Sequence, residues 1–518
     1  MNPIGNGCLV LTGILCLAWL VLSSHRPRIL TTILASLTVY VICEASSIFA
    51  DTLKLSQVQI LNDLEQAEVS LRLSAVGVSN LRGEPSPSST KKIDTKTAYY
   101  LNQMREILDR ANFENSTLAA YRVIVLDALH EDLSNALETL EKSDGENGIA
   151  LARDLRLAFL SSAKSTHSTA MISPSSRSEK DIADTISTDI RKRLPESWFR
   201  SFALDSLYRN THQTDQLASL KTHQMVRNDF LVKGIIVLGL LSVLSVLAGA
   251  VIVLVELIRR WRKRSLAEPA QSTFFVDGVR FDAKAVYGTV VAFVGTKLTL
   301  RQIFGFSWFY NPQIDPENAL KTSIALGLIY ALVNGIALFY AYIFMMRPNH
   351  VRFLDGISLR LRVGDIGPVQ MLVIGVLTFC ATMTLTGLSN GLSMLVGLSG
   401  SSNPITTVES QIARSGDIGA IINLFGQFLV LVPFIEEGFV RGFLYTALRQ
   451  RMSAFRSIII SALFFAALHF DLGGFISLFS TGVVFAYVVE RTRSTLPTMF
   501  AHGLSLSIMF IASLLFAQ

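Results

Sequence analysis

Apolar and polar positions along this chain follow two different periods. Continuous apolar runs lie near 8–23 and 29–50, and again near 231–257, 284–303, 321–346, 368–395, 416–446, 456–472, 474–490 and 496–516. About 20 apolar residues in helical form cross the hydrocarbon of a bilayer. Within lipid each backbone N–H and C=O must be bonded inside its own segment, so these runs predict helices. The run at 284–303 is the weakest, because Lys297 and Arg301 interrupt it. Between the second and third runs the pattern changes. Ile60, Leu64, Ala67, Leu71, Ala75 and Val78 recur at spacings of three and four, as do Leu126, Leu129, Leu133, Leu137 and Leu140. Such stripes predict amphipathic helices with one buried face. Further helices follow from Leu101, Met104, Leu108 and Ala111, and from Ile182, Ile186 and Ile190. Asp144-Gly145 and Asn147-Gly148 punctuate the second stripe, and low-complexity connectors run over 84–92 and 161–178.

The expected fold is therefore all-α: a polytopic membrane protein of about ten transmembrane helices with an inserted helical extracytoplasmic domain. Its parts are an N-terminal transmembrane hairpin (1–50), a helical extracytoplasmic domain (51–230), transmembrane helices with cytoplasmic loops (231–364) and an intramembrane core (365–518). Orientation comes from basic loops. Arg259-Arg260-Trp261-Arg262-Lys263-Arg264 closes the third run, and basic clusters at 347–362, 449–456 and 491–493 alternate with poorly basic loops at 304–320 and 396–415. With the basic clusters cytoplasmic, ten spans leave both termini and the 51–230 domain outside. The run at 8–23 reads as an uncleaved span, since no basic residue precedes it and no cleavage site follows. The stripes in 51–230 are the core of a bundle; a protein partner docked on a coiled coil is the alternative use of the same pattern.

Composition narrows the class. Half of the 518 residues are hydrophobic and 17% are charged, and mean hydropathy is +0.43. The partner this implies is the lipid bilayer. The net charge of +6 reads as loop basicity on one membrane face, not as a nucleic-acid surface. Cys8, Cys16, Cys43 and Cys380 all lie in apolar runs, so neither a disulfide framework nor a cysteine metal site is available.

The candidate chemistry is where charge interrupts the lipid-compatible pattern. Glu436, Glu437 and Arg441 close the run that begins near Ile421, and His469 and His502 follow in similarly apolar settings. A charged side chain at mid-bilayer costs at least about 2.5–3.5 kcal/mol, so such residues are functional candidates. Glu437 and Arg441, four apart, share a helix face and can pair. Glu436 points about 100° away and is available as a base. The plain alternative is a helix end with a surface ion pair, and for each histidine a packed interface residue. Two histidines and a glutamate also resemble a catalytic zinc set, although the His-Glu-x-x-His spacing is absent.

Three motifs in order resemble a known family. Glu436-Glu437-Gly438-Phe439-Val440-Arg441 matches its Glu-Glu-x-x-x-Arg, and Phe465-Ala466-Ala467-Leu468-His469 matches its Phe-x-x-x-His. His502 with the lead-in from Tyr487 is similar to its third motif. The family is that of the CAAX proteases and bacteriocin-processing enzymes (CPBP, Abi-type intramembrane glutamic endopeptidases), relatives of type II CAAX prenyl proteases. The resemblance covers roughly residues 365–515. It implies that Glu436, assisted by His469, activates water, that His502 stabilises the oxyanion, and that Glu437 and Arg441 support the site, with no cofactor. The family usually carries Asn four residues after the last histidine; here Leu506 stands there, with Ser505 on the His502 face as a substitute hydroxyl.

The resulting expectation is a peptidase of a bacterial cytoplasmic membrane acting on a peptide or membrane-protein substrate, with no nucleic-acid partner. A non-proteolytic membrane scaffold, chaperone or immunity factor is the alternative that Leu506 favours. A proton-coupled transporter is a third class, against which no inverted repeat of hydropathy surrounds the charged site.

Overall fold

The computed structural model describes residues 95–110, 116–129, 131–160, 179–194, 197–262, 279–303, 318–395, 405–469 and 473–517, with positions 64, 67, 68, 70, 71 and 471. The runs at 8–23 and 29–50 and both low-complexity connectors lie outside the described residues. No strand occurs among the described residues; an isolated bridge pairs Val363 with Ile366. The chain divides into two compact units, one built on Ser56–Leu238 and the other on Gly239–Val408 with Ser415–Ile511.

The first unit is a helical bundle. Its helices are α1 (Thr95–Asp109), α2 (Ser116–Ala128), α3 (Ser134–Lys142), α4 (Gly145–Leu160), α5 (Glu179–Arg193) and α6 (Trp198–Asn210). The stripes find their core here: Leu101, Met104, Leu108, Leu137, Leu140, Ile186 and Ile190 are buried together, and Tyr121 stacks on Phe199 with ring centroids 3.9 Å apart. The Leu126–Leu140 stripe spans two helices rather than one. The chain leaves α2 after Ala128 and re-enters at Ser134, whose N–H donates to the Asp132 carboxylate at 3.1 Å. A side chain that captures a backbone donor locally offers it an alternative to the helical ladder. Asp144 and Gly145, at φ 53° and 54°, make the turn into α4, a left-handed conformation that asparagine, aspartate and glycine tolerate. A long helix, α7 (Thr214–Arg262), carries the chain from this unit into the next.

The second unit holds α8 (Ala283–Ile303), α9 (Ala319–Ala341), α10 (Pro368–Leu395), α11 (Ile418–Arg449), α12 (Ala454–Ala467), α13 (Phe475–Thr492) and α14 (Leu496–Ala517). Six helices among the described residues are long and apolar enough to cross a membrane: α7, α9, α10, α11, α13 and α14. α12, with 14 residues, is apolar but short. α8 is helical throughout, but with Lys297 and Arg301 in it is not among the six. The chain is thus an all-α, multi-pass membrane protein.

α11 is the irregular span. Asp417 caps its start by accepting from the Ala420 N–H at 3.1 Å. Pro433 then lies inside the helix, where it offers no N–H to the Leu429 carbonyl and its ring crowds that oxygen. The helix widens into a π-turn at Gln427–Leu431 just before it and again at Gly438–Tyr445, so the two glutamates sit on a short α-helical turn, Val432–Glu437, between two π segments. π segments of this kind recur at functional sites. At its far end Tyr445 donates to Glu490 of α13 at 2.6 Å, and Arg449 meets the same carboxylate at 3.2 Å, both buried. That shared carboxylate ties the end of α11 to the end of α13.

Candidate active site

Glycine at 503 decides how closely α14 approaches α11. A methyl group there would lie 2.4 Å from the Leu429 carbonyl oxygen, the one Pro433 leaves without its usual donor. The close approach brings His502 to Glu437. The His502 Nδ1–H donates to Glu437 Oε1 at 3.2 Å, and Arg441 donates to the same oxygen at 3.0 Å. Glu437 and Arg441 are fully buried. The guanidinium is also stacked 4.0 Å from the Phe465 ring centroid and 5.4 Å from that of Phe485. Two aromatic faces thereby share the desolvated cation with a single carboxylate.

Glu436 faces elsewhere. Its Oε1 accepts a hydrogen bond from the Tyr330 hydroxyl of α9 at 2.6 Å. Its Oε2 has no hydrogen-bond partner and lies 3.8 Å from His469 Nε2 and 4.0 Å from His502 Nε2. Both distances exceed a hydrogen bond, so the three groups face one point without closing on each other. His469 sits in the turn just after α12, and its Nδ1–H donates to the Phe465 carbonyl at 2.8 Å. A carbonyl only accepts, so that bond commits Nδ1 to carrying a proton and leaves Nε2 as the reactive nitrogen. His502 is committed in the same way, through Glu437. The site is thus a carboxylate oxygen with two oriented imidazoles, each held by its other nitrogen.

A small cleft opens on Glu436 and His469. Its walls are mainly apolar, with Phe293, Ile435, Phe439 and Phe465 among them, and its further polar lining is Lys297 and Asn334. Among the described residues no three His, Cys, Asp or Glu side chains are grouped as a metal ion requires.

Of the residues singled out by the sequence, Glu436, Glu437, Arg441, His469 and His502 converge from α11, the turn after α12, and α14. Ser505 stands apart from them: its hydroxyl donates back to the Ala501 carbonyl of its own helix at 2.9 Å. Sequence reasoning missed Tyr330, Lys297 and Asn334. The signal for Lys297 was the interruption it makes in the run at 284–303. Tyr330 and Asn334 are one turn apart in the apolar middle of their helix, a weaker sign.

Paired glutamates and two histidines gathered within an all-α membrane unit, with Glu436 and His469 on a cleft, are the groups of an acid–base site. The family model described as type II CAAX prenyl endopeptidase Rce1-like matches residues 419–508. That stretch contains all three motifs, and the match supports the resemblance to the CAAX protease family read from them. No curated protein matches the chain, and no solved structure does.

Proposed function

We propose that this protein is an intramembrane peptidase in which Glu436 is the general base. The observation that carries the reading is Glu436 Oε2, unpartnered and facing the Nε2 atoms of His469 and His502 at 3.8 and 4.0 Å. Water held there loses a proton to Glu436, aided by His469, while its oxygen bonds to the substrate's carbonyl carbon. The tetrahedral oxyanion is received by His502, which donates from Nε2 when doubly protonated. The Glu437 carboxylate on Nδ1 orients that ring, as a buried carboxylate orients the imidazole of a hydrolytic triad. Collapse breaks the C–N bond, and the proton goes to the leaving amine. Tyr330 holds Glu436 in place, and Arg441 neutralises Glu437.

The match to a prenyl endopeptidase family makes peptides ending in a prenylated Cys-aliphatic-aliphatic-X sequence the first substrates to test, beside unprenylated membrane peptides. We assign no cofactor and place the chain in a bacterial cytoplasmic membrane. The full chain in nanodiscs, given a quenched fluorescent peptide of each kind, should cleave one, and Glu436→Gln should lower the rate by about 10²-fold or more. Activity abolished by chelation and restored by zinc would replace this mechanism with a metal-dependent one. Leu506, in the place of a donor amide, favours a second reading: a scaffold or immunity factor that retains the site without hydrolysis. Wild-type protein inert on every peptide would favour it.

A further inference from the structure

Two polar side chains in the cleft belong to none of the three motifs, and both lie outside the matched residues 419–508. Lys297 is in the second half of α8, with Phe293 one turn before it and its ammonium 6.0 Å from that ring's centroid. A lysine in an apolar helix is costly unless its charge reaches an interface or a function. This one turns into the cleft. Its Nζ donates to the carbonyl of Leu468, the residue before His469, at 3.2 Å, and it shares the cleft lining with Glu436 and His469. Asn334 enters from α9, one turn beyond the tyrosine that holds Glu436, with its Nδ2 3.3 Å from the Tyr330 carbonyl. Both helices therefore deliver N–H donors to the wall that carries the base. The end of the third motif supplies none: the Leu506 side chain has no N–H or O–H, and the Ser505 hydroxyl is directed to Ala501.

We propose that Lys297 and Asn334 are catalytic donors of this site, receiving the oxyanion in a chain whose Leu506 has no side-chain donor to give it. The inference rests on the peptidase reading. When water adds to the substrate carbonyl, the C=O π electrons move onto oxygen, and the ammonium of Lys297 with the amide N–H of Asn334 binds the resulting charge beside His502. When the C–N bond breaks, the charge returns to the carbonyl and the donors release it. They exchange no proton with substrate. Donors set in advance around a developing charge act most strongly in a cleft with apolar walls, where little water competes.

The test uses the full chain in nanodiscs and the prenylated or unprenylated fluorescent peptide that wild type cleaves. Lys297→Met and Asn334→Ala are each expected to lower kcat by about 10²–10³-fold, as loss of one oxyanion donor does, with KM moved little. The midpoint of the rate's pH profile should stay in place. A shifted midpoint with an intact plateau would overturn the proposal, because Lys297 would then act through the ionisation of Glu436. Full kcat in both variants, with Glu436→Gln inactive, would overturn it while leaving the peptidase reading standing. Wild-type rates in Glu436→Gln would remove that reading and this inference together. Should Lys297→Met not fold, Asn334→Ala decides, together with a phosphinate peptide that mimics the oxyanion. That inhibitor should bind Asn334→Ala at least tenfold more weakly than wild type, and equal binding would refute the assignment.

Discussion

Replacing Arg441 by methionine isolates the energetics of the buried ion pair from the chemistry beside it. Arg441 and Glu437 are fully buried and 3.0 Å apart. Removing the cation leaves the Glu437 carboxylate with one donor, His502 Nδ1–H at 3.2 Å. Breaking a buried pair from one side costs about 3–5 kcal/mol. Methionine between Phe465 and Phe485 recovers about 0.3–1.5 kcal/mol through sulfur–aromatic contact, so a net loss of about 2–4 kcal/mol is expected. The paired variant Glu437→Leu with Arg441→Met removes both charges. Apolar replacement of a whole buried pair is neutral or gains about 1–4 kcal/mol, against about 1–3 kcal/mol for leaving His502 Nδ1–H without an acceptor. The double variant should therefore lie close to wild type in stability, with a coupling of about 2 kcal/mol or more. Reversible unfolding in mixed micelles of the four proteins of the cycle measures it. The double variant should still hydrolyse poorly, because nothing then fixes the tautomer of His502. A double variant as unstable as the sum of the singles, or an Arg441→Met protein as stable as wild type, would refute the reasoning.

The first unit carries a pH-dependent element. Burial, with Asp189 nearby, raises the Asp154 carboxyl above its ordinary range despite a 3.1 Å contact with Arg153, and its Oδ2 is buried without a partner. Its native pKa exceeds the unfolded one, so this contribution to stability is complete below the usual carboxyl range and is lost as pH rises through the native value. Asp154→Asn should thus slow hydrogen exchange in α4 at neutral pH and change little at pH 4; no gain at neutral pH counts against this. Ser505→Ala should cost less than about tenfold in rate, the low end of general catalytic contributions, since its hydroxyl serves Ala501; a larger loss would give the hydroxyl a part in catalysis. Single cysteines at Ser89 and Ser175 should react with an impermeant thiol reagent in intact cells. Labelling only after lysis would invert the proposed orientation of residues 51–230.

Much of the helical content was legible in the sequence because it depends on local terms. Apolar runs of bilayer length and stripes at three and four predict helices wherever the rest of the chain lies, and α9, α10, α13 and α14 follow their runs closely. The Glu437–Arg441 pair is equally local, since a spacing of four brings two side chains together on one face. The Leu126–Leu140 stripe misled for the same reason: periodicity survives a tight connection, and the break at Asp132 depends on one side chain capturing one N–H. What spacing does not contain is which helices meet. Glu436 and Glu437 are chemically alike and adjacent, and only the packing of α9 and α14 against α11 separates them. One is held by Tyr330 and turned toward two Nε2 atoms; the other is closed between Arg441 and His502. Lys297 and Asn334 join the cleft from α8 and α9, far upstream of α11, a convergence that depends on how those helices pack and not on spacing along the chain. The sequence alone determined a membrane-spanning helical chain with acid–base residues in its apolar part. Tertiary packing decided which carboxylate faces the cleft, because a site formed across helices depends on shape at their contacts, which no periodicity along the chain records.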